Sequence, residues 1–258
     1  MKHIVTFSGG IWSWAAAKRV AAKFGTADLT LLFADVKMED EDLYRFVEEA
    51  AANVGGTLVR LIEGRDPWTV FFDERFLGNS RVDPCSKILK RGMLDKWRNA
   101  NCDPAEDVMY IGIDWSEMHR LDRFRARCAP FRYEAPMCEK PYLDKTQMLA
   151  LLHDEGIKPP RLYEMGFPHN NCGGFCIKAG QAQFKLLLEK MPGRYAYHEK
   201  REQEIRSFLN KDVSVLRDRR GGNTKGVPLT LRDFRVRLER DEKDLEKNEW
   251  GGCGCAIE

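Results

Sequence analysis

No apolar run in these 258 residues approaches the roughly 18 residues that a membrane-spanning helix requires. The opening stretch MKHIVTFSGG is too short, and too soon broken by polar residues and glycines, to read as a secretory signal. A cytoplasmic protein with no membrane partner is therefore expected. Charge of one sign is lacking as well: 42 Lys and Arg stand against 40 Asp and Glu, a net +2, so no global field selects nucleic acid or membrane. A local basic patch is compatible with that balance. No internal repeat or low-complexity tract stands out. Apolar content is not low, however. With 43% hydrophobic and 10% aromatic residues the chain can bury one substantial core with an appendage, which excludes a disordered protein.

Cysteine is abundant. Eight thiols in a reducing compartment point to free thiols, metal ligands or redox groups rather than to structural disulfides. Cys172 and Cys176 lie in NNCGGFC, Cys253 and Cys255 in GGCGC, and Cys85 in DPCSK, whereas Cys102, Cys128 and Cys138 lack any glycine-rich or paired context and read as ordinary thiols.

Along the chain the pattern alternates. HIVTF at 3–7 is a short apolar run that ends in glycines, and WAAAKRVAAKF at 14–24 takes up helical periodicity. LTLLFAD at 29–35 and TLVRLIE at 57–63 read as strands, with an acid-started helix at 40–54 between them. A further helix is expected at 86–100 and a strand at 108–113. This alternation predicts an α/β fold, doubly wound, with a mainly parallel sheet flanked by helices and a ligand site at the carboxyl ends of the strands. After about residue 140 the strand signal fades, so a mainly helical C-terminal part is expected. The division is a nucleotide-binding α/β domain at 1–180, then a helical extension and cysteine-bearing tail at 181–258. Residues 211–228 read as a polar loop and 231–250 as an amphipathic or solvated helix.

The densest local chemistry follows the first strand. Ser8, Gly9 and Gly10, entered from a strand and left by a helix, place glycine backbone and helix-start N–H groups where a phosphate would be held, with Ser8 and Ser13 adding hydroxyls. The lysine of the common P-loop and the GxGxxG of dinucleotide binders are both absent. A tight glycine turn without a ligand is the alternative.

FSGGIWS resembles the SGGxDS loop of the ATP-pyrophosphatase (PP-loop), or adenine-nucleotide α-hydrolase, superfamily. The resemblance continues toward the phosphoadenylyl-sulfate and adenylyl-sulfate reductase family. It runs through FADVKMEDEDLYRFVEE at 33–49, PCSKILKRGMLDKW at 84–97, YIGIDWSEMHR at 110–120 and RLYEMGFPHNNCGGFC at 161–176. It implies nucleotide recognition by Ser8, Gly9, Gly10, Ser13, Asp35 at the second strand end, and Lys87. Lys90 and Arg91 join Lys87 as candidates for holding phosphate or lowering a thiol pKa, the alternative being a solvated helix face. Two departures matter. Trp12 replaces the acidic residue of SGGxDS, and Asp114 stands where the reductases carry a base, so an acid there would repel sulfate.

In cluster-bearing reductases the basic segment holds a Cys-Cys pair followed later by CxxC; here the matching positions are Cys85-Ser86 and Cys172 with Cys176, separated by three residues. Cys85, Cys172 and Cys176 are thus candidate ligands of a 4Fe-4S cluster, or of zinc, short of one ligand that Cys253, Cys255 or an exogenous group would supply. His169 is an alternative ligand, and core-packed thiols are the plain alternative. WGGCGC resembles in placement the mobile reductase tail, which makes Cys253 and Cys255 candidate catalytic thiols. Arg217, Arg219, Arg220 and Lys225 form a basic loop suited to a nucleic acid or sulfonated nucleotide, or simply to solvent.

Three functions follow. One is a phosphoadenylyl-sulfate reductase-like oxidoreductase served by a thioredoxin-like reductant. Another is an ATP-dependent sulfurtransferase that uses Mg with ATP and thiolates a nucleobase of a nucleic-acid acceptor. The third is an inactive nucleotide or Fe-S sensor, motivated by Trp12.

Overall fold

The computed structural model describes residues 1–79, 82–220, 226–240 and 250–251. Strand β1 (His3–Thr6) leads into helix α1 (Ile11–Phe24), followed by β2 (Leu29–Asp35), α2 (Glu41–Val54), β3 (Thr57–Ile62) and α3 (Pro67–Asp73). A π-helical turn at 86–91 runs into α4 (Gly92–Asn101), and β4 (Val108–Ile111), α5 (Leu121–Cys128) and β5 (Arg132–Glu134) complete the sheet. The remainder is α6 (Lys145–Asp154), α7 (Arg161–Glu164), α8 (Gln181–Lys190), α9 (Pro192–Leu209), the short antiparallel pair β6 (Leu216–Asp218) and β7 (Val227–Leu229), and α10 (Leu231–Glu239).

The five strands are all parallel in the order β3-β2-β1-β4-β5. Alternate residues of each strand serve opposite faces. Val5 and Phe7, Leu29, Leu31 and Phe33, and Val108 and Tyr110 pack beneath α1, α2 and α6. Ile4, Leu32, Met109 and Ile111 face α4 and α5. Covering both faces is what lets the central strands β1, β2 and β4 be mainly buried, whereas the edge strands β3 and β5 carry exposed polar residues. The chain turns from one half of the sheet to the other between β1 and β4, and the gap at their carboxyl ends is the ligand position of such folds.

A third apolar cluster joins Val36, Met38, Trp68 and Phe71 to Phe175, Cys176, Tyr195, Ile205, Leu231 and Phe234. The C-terminal helices therefore bury their apolar sides against α3 and the segment that follows α7. The expected loop at 211–228 holds β6 and the start of β7, which ends at Leu229, and the short β5, α5 and α3 lie in segments whose polar or mixed composition concealed them.

Candidate functional site

The loop after β1 is held by glycines with distinct duties. Gly9 has φ +76°, where an added Cβ would touch Leu43 and Val47 of α2 at 3.0 Å. Gly112, just past β4, allows closer contact: a Cβ there would stand 2.6 Å from Ser13 Cα and 2.7 Å from its N. The start of α1 is thus pressed against the end of β4, which fixes where its N–H groups point. Gly10 is the N-cap and offers no side-chain cap. The Ser13 hydroxyl returns to the Gly10 carbonyl at 2.8 Å and the exposed Ser8 hydroxyl donates to Ser13 Oγ at 3.3 Å.

Two residues from the later segment close this loop. The Tyr163 hydroxyl accepts the Ile11 N–H, while burial pushes its own pKa up to about 12. Asn170, 2% exposed, donates from Nδ2 to the Gly9 carbonyl at 3.2 Å and leaves a buried Oδ1 without a partner. Lys145 lies over the Tyr163 ring at 4.7 Å, and burial lowers its pKa. A cation beside a helix N-terminus is the arrangement that receives an anion.

Beside the loop, on the α4–α5 face, a cavity of about 470 Å³ is lined by Thr6 from β1, by Lys87, Arg91 and Arg98, and by Arg127 and Tyr133. Asp95 pairs with Arg98 at 2.8 Å and Arg91 pairs with Asp83 at 3.3 Å. Lys87 is exposed and has no carboxylate partner among the described residues. The volume falls in the range of small-ligand sites, and the excess of bases suits an anionic ligand.

The π-helical turn divides this cavity from a second one. Its wide turn is closed by the Gly92 N–H on the Lys87 carbonyl, where any Cβ at Gly92 would lie 2.9 Å from that oxygen. Lys87 and Arg91 face the cationic cavity; Cys85, Ser86 and Lys90 face a pocket of about 20 Å³. Cys172 and Cys176 line that same pocket, so the three expected metal ligands converge. Room for about one water-sized body is less than an iron–sulfur cube needs. No group of three His, Cys, Asp or Glu side chains among the described residues is arranged to hold a metal ion.

The cysteine segment is held in an unusual backbone. Cys172, Gly173 and Gly174 all have positive φ, at 52°, 58° and 86°. Left-handed cysteine is strained, and the surroundings enforce it. Cys172 donates its N–H to the buried Glu39, which also accepts from Lys90 at 3.3 Å. Arg194 of α9 lies directly under Gly173 and pairs with buried Asp40 at 3.1 Å, while Arg161 pairs with the same carboxylate. Asn170 and Cys172 are two residues apart, so the segment that closes the Gly9 loop also carries a cysteine of the second pocket.

Asp35 ends β2 as expected but its carboxylate is engaged, accepting from the Lys37 N–H at 2.7 Å, Tyr44 at 2.8 Å and Arg60 at 2.5 and 3.0 Å. Asp114 caps the turn that follows β4, accepting from the Ser116 N–H at 2.6 Å. Cys102, Cys128 and Cys138 are pushed up by burial, which suits unreactive thiols. Cys253, Cys255 and Lys225 lie outside the described residues. The Trp250 carbonyl accepts from the Gly180 N–H at 2.9 Å and Gly251 bridges Ala179, so these two residues lie beside the stretch three to four residues beyond Cys176.

Sequence reasoning did not single out Tyr163, Asn170, Lys145, Glu39, Asp40 or Arg194. Tyr163 and Asn170 lie within quoted motifs, but only folding brings them to the loop.

Fold and site together define a doubly wound α/β protein with a glycine loop at the switch point, a cationic cavity and convergent thiols. No protein-family model matches this chain, and no curated protein matches it. Among solved structures it is similar to phosphoadenylyl-sulfate (PAPS) reductase from Candida auris in a phosphate complex, at 14% identity and TM-score 0.47, with 65% of this chain and 79% of that one covered.

Proposed function

We propose that this chain is an enzyme that binds an adenine nucleotide at the Ser8–Ser13 loop and performs sulfur chemistry on it in the manner of a phosphoadenylyl-sulfate reductase. The supporting observation is the convergence of Cys85, Cys172 and Cys176 on one pocket, a single helical turn away from the cationic cavity. In this reading the α1 N-terminus and Lys87 hold the nucleotide's anionic groups. A tail thiolate attacks the sulfonate sulfur, the S–O bond breaks, and AMP or its 3′-phosphate leaves with the bonding pair. A thioredoxin-like dithiol then reduces the resulting S-sulfocysteine, releasing sulfite and becoming a disulfide. Cys253 and Cys255 follow Gly251 by two and four residues, spans of at most about 7 and 14 Å.

Cys85, Cys172 and Cys176 are the residues that would hold an iron–sulfur cluster or zinc, with a fourth donor from outside the described residues. The small pocket would have to widen to admit a cluster. When bound, such a centre would supply a soft Lewis acid or a carrier of sulfur.

One observation favours a second reading. Asp114 keeps a carboxylate at the carboxyl end of β4, where it disfavours a sulfonate and tolerates Mg-bound ATP. The protein would then adenylate a nucleobase carbonyl with release of pyrophosphate, and a sulfide-level sulfur nucleophile would attack that carbon and displace AMP, which leaves with the C–O bonding pair.

Anaerobic purification, with iron, sulfide and zinc analysis, followed by separation of nucleotide products, tests both. AMP and sulfite from a sulfonucleotide establish the first reading, and AMP with pyrophosphate from ATP the second. No nucleotide product and no nucleotide affinity would remove both. Cys172→Ser and Cys176→Ser should each lose bound metal, and stoichiometric metal in both variants would overturn the ligand assignment.

A further inference from the structure

We infer that the surface formed by Trp115, Tyr142 and Lys140 is a base-stacking platform for a single-stranded nucleic acid. It deepens the acceptor half of the second reading above and rests on that reading only for its place in a reaction.

Trp115 and Tyr142 are 46% and 44% exposed, and their rings contact one another at 5.7 Å between centroids with planes inclined by 33°. Met118, three residues from Trp115 on the same short 3₁₀ turn, is 41% exposed. Large aromatics are ordinarily covered, and exposed side chains of this size in mutual contact mark a binding surface. The patch lies at the ligand edge of the sheet. Trp115 is three residues past Gly112, whose backbone touches Ser13, so the two Cα atoms are at most about 11 Å apart.

What adjoins the rings selects the partner. Tyr142 follows Lys140 and Pro141, which line a cavity of about 220 Å³ together with Lys23, Glu134 and Glu139. Lys140 is exposed and pairs with no carboxylate among the described residues. Arg19, also in the cavity wall, donates to the carbonyls of Pro136, Glu139 and Pro141, which fixes the shape of this loop and leaves its positive charge in the cavity wall. Aromatic faces interleaved with ammonium groups bind single strands, because each base has a stackable face and each linkage a phosphate. The carboxylates of Glu134 and Glu139 are acceptors for exocyclic amino groups of bases, whose pairing edges are open in a single strand and occupied in a duplex. A protein partner would need a larger apolar core than two rings and a methionine provide.

The test is fluorescence anisotropy of the full chain with a labelled, mixed-sequence single-stranded oligonucleotide of roughly a dozen nucleotides, a length matched to known single-strand sites. Trp115→Ala and Tyr142→Ala should each weaken binding about tenfold. Lys140→Ala should weaken it less and reduce the slope of log affinity on log salt by about one. Both aromatic positions are exposed, so unfolding is not expected, and adenine-nucleotide affinity measured in parallel should be unchanged. No saturable binding, equal binding of a duplex, or undiminished affinity in the Trp115→Ala/Tyr142→Ala double variant overturns the inference. Loss of adenine-nucleotide binding with intact oligonucleotide binding would instead sink the loop reading and leave this one standing.

Discussion

One glycine and one aspartate carry separable consequences at the scale of the residue. Gly112→Ala drives a methyl into the backbone of Ser13, which has no flexible end to move aside. A loss of about 1–3 kcal/mol, the usual cost of overpacking, is expected from urea denaturation, together with weaker nucleotide binding because the α1 N-terminus must retreat. Asp35→Asn tests a different assignment. Its four hydrogen bonds tie β2 to Tyr44 and Arg60, and Arg60 is 42% exposed, so its share of the loss is screened by solvent. The variant should lose roughly 1–2 kcal/mol of stability and keep nucleotide affinity. An affinity loss at unchanged stability would return Asp35 to the ligand role expected from its strand-end position.

At the scale of the element, the segment 170–176 and helix α9 behave as a clasp. Arg194 reaches from α9 under Gly173 to Asp40, and His198 accepts from Trp68 at 3.0 Å while stacking on Phe175 at 3.7 Å. Glu202 lies one turn further along α9, fully buried, and accepts from the N–H groups of Val215 at 2.7 Å and Leu231 at 2.6 Å. Burial pushes its carboxyl up from 4.5 to about 7, against the pull of those two donors. The folded state therefore holds a proton that the unfolded chain releases between pH 4.5 and 7. Stability from this group is complete below 4.5, falls by about 3 kcal/mol as pH rises to 7, and is level above that. The urea midpoint of Glu202→Gln should vary less with pH over this window than that of the native chain. Parallel profiles would show that Glu202 does not set the dependence.

At the scale of the whole molecule, the third apolar cluster makes the C-terminal part a component of the core. Tyr195, Ile205, Leu231 and Phe234 are fully buried in a cluster with residues from the stretch after β2, from α3 and from the cysteine segment. A chain truncated after residue 180 leaves that surface open, at a cost of roughly 1.5–3 kcal/mol for each large apolar side chain lost from the interface. Such a fragment should lack cooperative thermal unfolding and be cleaved readily by protease, as followed by circular dichroism and limited proteolysis. A cooperatively folding 1–180 fragment would establish the two-part division read from the pattern. Among the described residues no helix is long and apolar enough to cross a membrane, which agrees with the absence of any such run.

The sequence alone determined four of the five strands of the sheet and the turn that follows the first. β2 spans 29–35 as its apolar run requires, and the Ser8–Gly10 turn lies where a strand gives way to a helix. Apolar period and glycine position are local signals, and each survives without knowledge of distant residues. Asp40 likewise caps α2 through its own neighbour, Asp42. Tertiary structure decided the rest, because convergence is not local. Cys85 and Cys176 are far apart in sequence yet line one pocket. Tyr163 and Asn170 reach the Ile11 N–H and the Gly9 carbonyl only because α7 folds back over the loop. Glu39 has no periodic or spacing signature, and its partners Cys172 and Lys90 come from two other segments. The turn at 86–91 was legible as a helix, but its π geometry, with Lys87 on one cavity and Cys85 on the other, was not.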